Sequence, residues 1–167
     1  DRYYEYDKIA AICDYVFLMV YDTQSQIDKG PPCLAGPNSP TSAVQKSLEW
    51  YSSSLQIPFE KTILGLPWYG YYYNCTSFDP TTKDCTIPTV PFRGVPCSDA
   101  AGREINYPTI MAELRRTNTN AIFDQPTLSM KAFVSTTSHN NTINNEISTL
   151  ANKSRTASTV VGYYFDS

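Results

Sequence analysis

One stretch constrains the fold of this chain more than any other, namely residues 14–22, Asp-Tyr-Val-Phe-Leu-Met-Val-Tyr-Asp. Its five central residues, 16–20, are all apolar and lack the alternation of a half-buried strand. Such a run is typical of a strand buried on both faces, as in a parallel sheet covered by helices. Tyr21 and Asp22 end the run at the point where α/β barrels place ligand-binding residues. The stretch predicts an α/β fold, although a core strand with an incidental Asp would look the same.

The same pattern of an apolar strand that ends in polar groups occurs twice more. Residues 62–66 form a short apolar run that Pro67 prevents from continuing as a central strand. Residues 159–166, Thr-Val-Val-Gly-Tyr-Tyr-Phe-Asp, form the other. Between the first two strands, apolar residues at helical spacing predict a helix over 41–55: Val44, Leu48, Tyr51 and Leu55. Strand, helix and strand together predict one crossover unit.

Other segments are less regular. A short helical turn is plausible at 9–12, and a long polar loop at 23–40 is either functional or disordered. We expect a helix at 108–116, strands at 121–124 and 130–136 with a turn between them, and a further helix at 141–153.

Composition narrows the classes of function. The chain has 167 residues, which suits one domain, and a formal net charge of −3, which offers no basic footprint for nucleic acid. His139 is the only histidine, so we expect no metal site and no cofactor. The sequence also lacks an apolar run that could span a membrane.

Cysteines and sequons indicate an oxidising compartment, so the predicted location is lysosomal or secreted. There are five cysteines, and Cys75 and Cys85 are the favoured disulfide pair because they are close in sequence. The odd total leaves at least one cysteine free or bonded elsewhere. Three asparagines begin Asn-X-Ser/Thr sequons and are candidate glycosylation sites: Asn74, Asn140 and Asn152.

Three motifs carry a resemblance to a known family. They are Phe-Leu-Met-Val-Tyr-Asp at 17–22, Ile-Leu-Gly-Leu-Pro-Trp-Tyr-Gly at 63–70 and Val-Pro-Phe-Arg-Gly-Val-Pro-Cys-Ser-Asp at 90–99. In this order, the chain resembles the carboxyl-terminal half of family 18 glycoside hydrolases from about residue 9 to 165. The resemblance implies the carboxyl-terminal part of a TIM (β/α)8 barrel. Residues 1–70 would form strands six and seven with their helix, 71–138 a small α+β insertion, and 139–167 the last helix and strand eight.

Three strands cannot close a barrel, because each edge strand needs a partner. The resemblance therefore implies an amino-terminal half-barrel supplied by the same or another chain, and a fold unlike the family's is the minor alternative. The family's D-x-x-D-x-D-x-E motif, which carries the catalytic acid, is absent from the sequence. The catalytic acid is thus expected outside these residues.

The resemblance also assigns roles to residues at the strand ends. The family cleaves N-acetylglucosamine-containing oligosaccharides by attack of the substrate's own acetamido group, with retention. Tyr21 would donate its hydroxyl to the acetamido oxygen, Asp22 would bind sugar hydroxyls, and Tyr69 would line the pocket. Tyr164 stands where the family usually has a tryptophan floor for the sugar. Trp68 is as suited to packing under the insertion as to stacking on sugar.

Two interpretations remain open. The favoured one is an enzyme part that acts on N-acetylglucosamine-containing oligosaccharides. The alternative is a non-catalytic, secreted glycan-binding or structural relative, because tyrosine offers less stacking area than tryptophan at position 164. Tyr21 could likewise be a tyrosine that only fills the barrel core.

Overall fold

Helices and strands alternate along the first part of the chain, and an antiparallel sheet dominates the rest. The computed structural model describes residues 4–25, 27, 29–137 and 158–165. Its helices are α1 (Tyr6–Ile12), α2 (Thr41–Glu49) and α3 (Tyr107–Arg116). Its strands are β1 (Val16–Leu18), β2 (Thr62–Leu64), β3 (Tyr69–Asn74), β4 (Ser77–Asp79), β5 (Asp84–Thr86), β6 (Gly102–Asn106), β7 (Ile122–Asp124), β8 (Ser129–Thr137) and β9 (Ser158–Phe165).

The predicted strand–helix–strand unit is present. β1 and β2 pair in parallel, with Phe17 opposite Ile63, and α2 lies between them in the chain. α2 begins directly after Pro40, whose fixed φ suits a helix start, and it continues into a π-helical turn at Trp50–Ser54. The helix predicted over 41–55 and the strand predicted at 62–66 are confirmed.

The burial of β1 differs from the prediction. Leu18 is buried, but the Phe17 side chain is 55% exposed and Ile63 beside it is 44% exposed. The prediction that β1 is buried on both faces is wrong for this chain. The reason is that the described residues supply only two strands to this sheet and leave one of its faces open.

The second and larger sheet is antiparallel, in the order β6-β3-β9-β8-β7. Its two faces bury different partners, because side chains alternate along each strand. On one face, Tyr71 and Tyr73 pack with cysteines of the surrounding loops. On the other face, Val161 and Tyr163 pack against Ile110 of α3. The sheet therefore lies between α3 and disulfide-bonded loops.

The last strand is placed differently from the sequence prediction. The resemblance implies that residues 159–166 form barrel strand eight, which would be a third parallel strand. Instead, β9 pairs antiparallel with both β3 and β8, with Tyr164 opposite Tyr71 on one side and Lys131 on the other. The prediction of a third parallel strand is wrong for this structure. The physical reason is that β3 and β8 would each leave an unpaired edge without β9 between them.

Two disulfides tie the loops together. Cys75 bonds to Cys85, the pair favoured by proximity, and Cys33 bonds to Cys97 across 64 residues. Cys13 is a free thiol.

The remaining predicted elements have mixed outcomes. The helices expected at 9–12 and 108–116 and the strands expected at 121–124 and 130–136 are confirmed as α1, α3, β7 and β8. The helix expected at 141–153 lies outside the described residues. Within the described part of the chain, each helix is too short or too polar to cross a bilayer.

Candidate active site

Asp22 is the centre of a hydrogen-bonded cluster just beyond β1. Its Oδ1 accepts hydrogen bonds from the Tyr69 hydroxyl at 2.6 Å and from the Tyr71 hydroxyl at 3.0 Å. The backbone of Asp22 has a φ of 56°, in the left-handed region that Asp tolerates better than most residues. The chain turns sharply here, and the turn aims the carboxylate at β3.

Asn38 links Asp22 to β3. Its side chain is fully buried, its Oδ1 accepts the Asp22 N–H at 2.8 Å, and its Nδ2 donates to the Tyr69 carbonyl at 3.0 Å. Buried amides hold neighbours firmly, because an unpaired donor or acceptor would be costly. The sequence prediction missed Asn38. The only available signal was its position at the end of the polar loop at 23–40, which many neighbouring residues share.

Tyr21 lies beside this cluster. Its ring packs edge-on against the ring of Tyr69, with centroids 6.2 Å apart and planes at 78°. The side chain is half-buried. The structure thus brings together Tyr21, Asp22 and Tyr69, three residues that the sequence singled out. The contact is aromatic, and no described residue hydrogen-bonds the Tyr21 hydroxyl.

A second carboxylate completes the cluster. Asp99 Oδ2 lies 3.2 Å from the hydroxyl of Tyr71, the same hydroxyl that donates to Asp22. The Asp99 backbone N–H donates to the Gln24 carbonyl at 2.8 Å, and Cys97 nearby is bonded to Cys33. Two segments distant in sequence are thereby fastened side by side. The sequence prediction did not include Tyr71 or Asp99 in the site.

The environment favours the neutral forms of several of these groups. Burial is the largest cause that raises the pKa of the Asp99 carboxyl, and the nearby Asp22 carboxylate raises it further. Hydrogen bonds from Tyr71 and from the backbone act in the opposite direction but do not outweigh burial. Burial also raises the pKa of Tyr69 and of Tyr71, and their acidic neighbours add to the effect. Both phenols therefore remain protonated and act as donors.

Trp68 and Tyr164 lie in different surroundings. Trp68 is 73% exposed, and its ring packs against Tyr107 with centroids 5.2 Å apart. Tyr164 is only 4% exposed and packs edge-on against Tyr73 and Phe133. Tyr164 also lines a cavity of about 150 Å³. Among the described residues, neither side chain hydrogen-bonds Asp22, although Tyr164 lies opposite Tyr71 across β9 and β3.

The structure describes one of the three predicted glycosylation sites. Asn74 is exposed at the end of β3, and its Oδ1 accepts a hydrogen bond from the Tyr72 hydroxyl at 3.1 Å. Asn140 and Asn152 lie outside the described residues.

Taken together, the cluster is a held carboxylate flanked by aromatic rings at the carboxyl end of a parallel strand. Asp22 offers hydrogen-bond acceptors, and the tyrosine rings offer apolar faces next to polar tips. This combination suits a ligand with hydroxyl groups and apolar ring faces, such as a carbohydrate. The fold defines an α/β protein, and the site is a cluster of carboxylates and tyrosines beyond the end of a parallel strand.

The whole chain, residues 1–167, matches the model of the glycosyl hydrolases family 18, and the chain belongs to that family. Among curated relatives, it is 40% identical over 126 residues to human di-N-acetylchitobiase, a match covering 74% of this chain and 31% of the human protein. It is 43% identical over 117 residues to di-N-acetylchitobiase of Mus musculus, covering 68% of this chain and 30% of the mouse protein. The matches thus span about a third of the length of these relatives.

A similar fold occurs in solved structures. A chitinase from Chromobacterium violaceum aligns with a TM-score of 0.54 and 16% identity, and the match covers 96% of this chain and 35% of the chitinase chain. At this identity the likeness concerns the fold alone. It supports the α/β class that the sequence predicted.

Proposed function

We propose that this chain supplies barrel strands six and seven, formed by β1 and β2, and part of the active site of a chitobiase-like glycosidase. The substrate would be an N-acetylglucosamine-containing oligosaccharide. The observation that carries the proposal is the contact of Tyr21, Asp22 and Tyr69 at the end of β1, in a chain of family 18. Residues 1–70 would belong to the barrel and residues from 71 onward to the insertion, which β9 joins.

The open face of the β1–β2 sheet supports a larger assembly. Two parallel strands cannot form a barrel, and the matches cover about a third of the curated relatives. The remaining strands, in the same or another polypeptide, would cover Phe17 and Ile63. We refer to this chain together with those strands as the complete protein.

In the proposed reaction, the carbonyl oxygen of the substrate's 2-acetamido group attacks the anomeric carbon. The bond to the leaving oxygen breaks, and that oxygen takes a proton from an acid outside this chain. Water then opens the resulting oxazolinium ion and returns its proton to the conjugate base of that acid, so two inversions give overall retention of configuration. The protein's task is to orient the acetamido group and to stabilise the positive charge.

The described residues suit that task. The hydroxyl of Tyr21 can donate to the acetamido oxygen and hold it for attack. The hydrogen bonds that described residues give to the Asp22 carboxylate fall on Oδ1, so Oδ2 can accept from the sugar. Tyr69 holds Asp22 and lines the pocket. A carboxylate fixed in advance stabilises developing positive charge without reorganising during the reaction.

The location follows from the cysteines. Two disulfides in a chain of this size are typical of proteins from oxidising compartments. We therefore propose a lysosomal or secreted location.

The test is hydrolysis of N,N′-diacetylchitobiose by the complete protein. Tyr21→Phe should slow turnover by roughly ten- to a thousandfold, the effect of losing one preorganised donor. Tyr72→Phe is the matched control, because Tyr72 lies on the face of β3 opposite Tyr71 and its hydroxyl donates to the exposed Asn74, and its turnover should stay unchanged. The fully deacetylated disaccharide should not be cleaved. Equal turnover of Tyr21→Phe and the wild-type protein would refute the assigned role.

One observation favours a second candidate, a non-catalytic glycan-binding relative. Tyr164 is buried and packed between two aromatic rings, so it offers no free face for stacking a sugar. Calorimetry distinguishes the two candidates. Binding of N,N′-diacetylchitobiose without turnover in the complete protein would favour the binding protein, and turnover would favour the glycosidase.

A further inference from the structure

The hydroxyl of Tyr71 contacts more carboxylates than it has protons. It lies 3.0 Å from Asp22 Oδ1 and 3.2 Å from Asp99 Oδ2, both within hydrogen-bond distance. A phenol carries a single proton, and its oxygen can also accept one. If both carboxylates were ionised, the single Tyr71 proton could serve only one of them. The other carboxylate oxygen would then lie close to the Tyr71 oxygen without a full hydrogen bond. One more proton makes both contacts favourable.

We propose that Asp99 is held as a neutral carboxylic acid that donates to Tyr71, so that Tyr71 donates its own proton to Asp22. Asp99 is then a positioning residue that acts on Asp22 through Tyr71. The proton count balances, with one proton on Asp99 Oδ2, one on Tyr71 Oη and a charged Asp22.

The proton belongs on Asp99 because, among the described residues, two phenol hydroxyls lie within hydrogen-bond distance of the Asp22 carboxylate and one lies near Asp99. Asp22 already accepts the short hydrogen bond from Tyr69. Hydrogen bonds to the charged form stabilise that form. Asp99 is half-buried and has Asp22 as a like-charged neighbour, which opposes its ionisation.

The other titratable groups around the pair are also acidic. Glu104 on β6 lies opposite Tyr71, and its charge opposes ionisation of the Tyr71 phenol. Tyr73 stacks on Tyr71, with ring centroids 5.8 Å apart, and burial raises the pKa of Tyr73. The backbone N–H groups of Asp99 and Ala100 act in favour of a charged Asp99. Burial outweighs these two hydrogen bonds, so the pKa of Asp99 is raised overall, which favours the neutral acid.

The covalent framework holds the geometry in place. Asp99 is two residues from Cys97, which is bonded to Cys33, and its N–H is bound by the Gln24 carbonyl. The carboxylate oxygens of Asp22 and Asp99 thus keep their distances from the Tyr71 hydroxyl. Without the Asp99 proton, two charged carboxylates would compete for the single proton of the Tyr71 hydroxyl. The hydrogen bond from Tyr71 to Asp22 would then weaken.

The first test is independent of catalysis. Infrared difference spectra of the complete protein between acidic and alkaline pH should show the carbonyl band of a neutral carboxylic acid that persists above the ordinary pKa range of Asp. Asp99→Asn should remove that band, and Asp79→Asn, which alters an exposed carboxylate, should leave it. A band that survives Asp99→Asn, or no such band at all, would overturn the proposal.

The second test uses kinetics and rests on the proposed glycosidase activity. Asparagine can donate an N–H to Tyr71 as the neutral acid does, so Asp99→Asn should keep turnover within about threefold of wild type. Asp99→Leu should lose about ten- to a hundredfold, the effect of a lost hydrogen bond in a charged network. The wild-type profile should fall as pH rises through the raised pKa of Asp99, and Asp99→Asn should lack this step.

The outcomes separate the two proposals. Equal losses in Asp99→Asn and Asp99→Leu would overturn the positioning role even if the infrared band is present. A complete protein that shows the band but no hydrolysis would refute the glycosidase function and leave the neutral Asp99 standing.

Discussion

At the residue scale, Tyr73 has a polar group that its surroundings do not use. The side chain is fully buried, and its hydroxyl has no hydrogen-bond partner among the described residues. Its ring, by contrast, is closely packed, because a Cβ at Gly102 would lie 2.5 Å from it. The ring volume stabilises the sheet, whereas the desolvated hydroxyl costs free energy.

Tyr73→Phe should therefore raise the free energy of unfolding by about 1 kcal/mol, because it removes the desolvation cost and keeps the ring. Urea denaturation of the complete protein measures the change. Tyr71→Phe is the matched control on the same strand face, and it should be destabilising by about 1–2 kcal/mol because its hydroxyl is used. A loss of stability in Tyr73→Phe would mean that the hydroxyl has a partner.

At the element scale, the loop after β1 and the segment before β6 behave as one unit. The N–H of Ile27 donates to the Cys97 carbonyl at 3.0 Å, and the N–H of Asp99 donates to the Gln24 carbonyl at 2.8 Å. The Cys33–Cys97 disulfide locks the two segments together. The loop would otherwise be free to separate Asn38 from Asp99. The order of the loop therefore depends on its contact with a segment that follows β2 and β3 in the chain.

The two disulfides should consequently differ in their effects. Replacing Cys33 and Cys97 by Ala should lower the free energy of unfolding by about 4 kcal/mol, and replacing Cys75 and Cys85 by about 3 kcal/mol, because the first closes a longer loop. Turnover of the complete protein should fall mainly in the first variant. Chemical denaturation and diacetylchitobiose assays measure both. Equal turnover losses would show that the Cys33–Cys97 link does not position the site.

At the scale of the whole molecule, the parallel pair carries an apolar surface that soluble domains usually bury. Phe17, Met19, Ile63 and Leu66 are all exposed on or beside β1 and β2. Apolar patches of this kind mark surfaces that pack against other protein segments. Further barrel strands are the occupant that the parallel pairing favours, because only a strand satisfies the free edges of β1 and β2.

The 167-residue chain alone should therefore bind a hydrophobic dye and self-associate, whereas the complete protein should do neither. Dye fluorescence and light scattering test this. In the chain alone, Phe17→Ser together with Ile63→Ser should lower dye binding several-fold, because these residues form the exposed patch. Serine at the exposed Phe123 on β7 is the control and should change little. A monomeric, dye-silent chain would contradict the barrel-completion proposal.

Local patterns in the sequence were sufficient for several features of this protein. The helical spacing of Val44, Leu48 and Tyr51 predicted α2, and the apolar run before Tyr21 and Asp22 predicted β1, which ends at Leu18 shortly before them. The motif order predicted family 18, which the match over residues 1–167 confirms. These features depend on side-chain periodicity and on residues adjacent in the chain, so they can be read without knowing any long-range contact.

Only the tertiary structure decided how distant segments meet. β9 has the apolar run of a parallel strand, yet it pairs antiparallel between β3 and β8, because strand pairing depends on which edges are free. Asn38 and Asp99 look like ordinary polar loop residues in the sequence. Asn38 belongs to the Asp22 cluster because its buried amide accepts the Asp22 N–H. Asp99 belongs to it because the nearby Cys33–Cys97 disulfide holds its segment there. The sequence by itself determined the family and the strand-end residues, and the fold determined which partners hold them, since hydrogen bonds and disulfides join residues by distance in space.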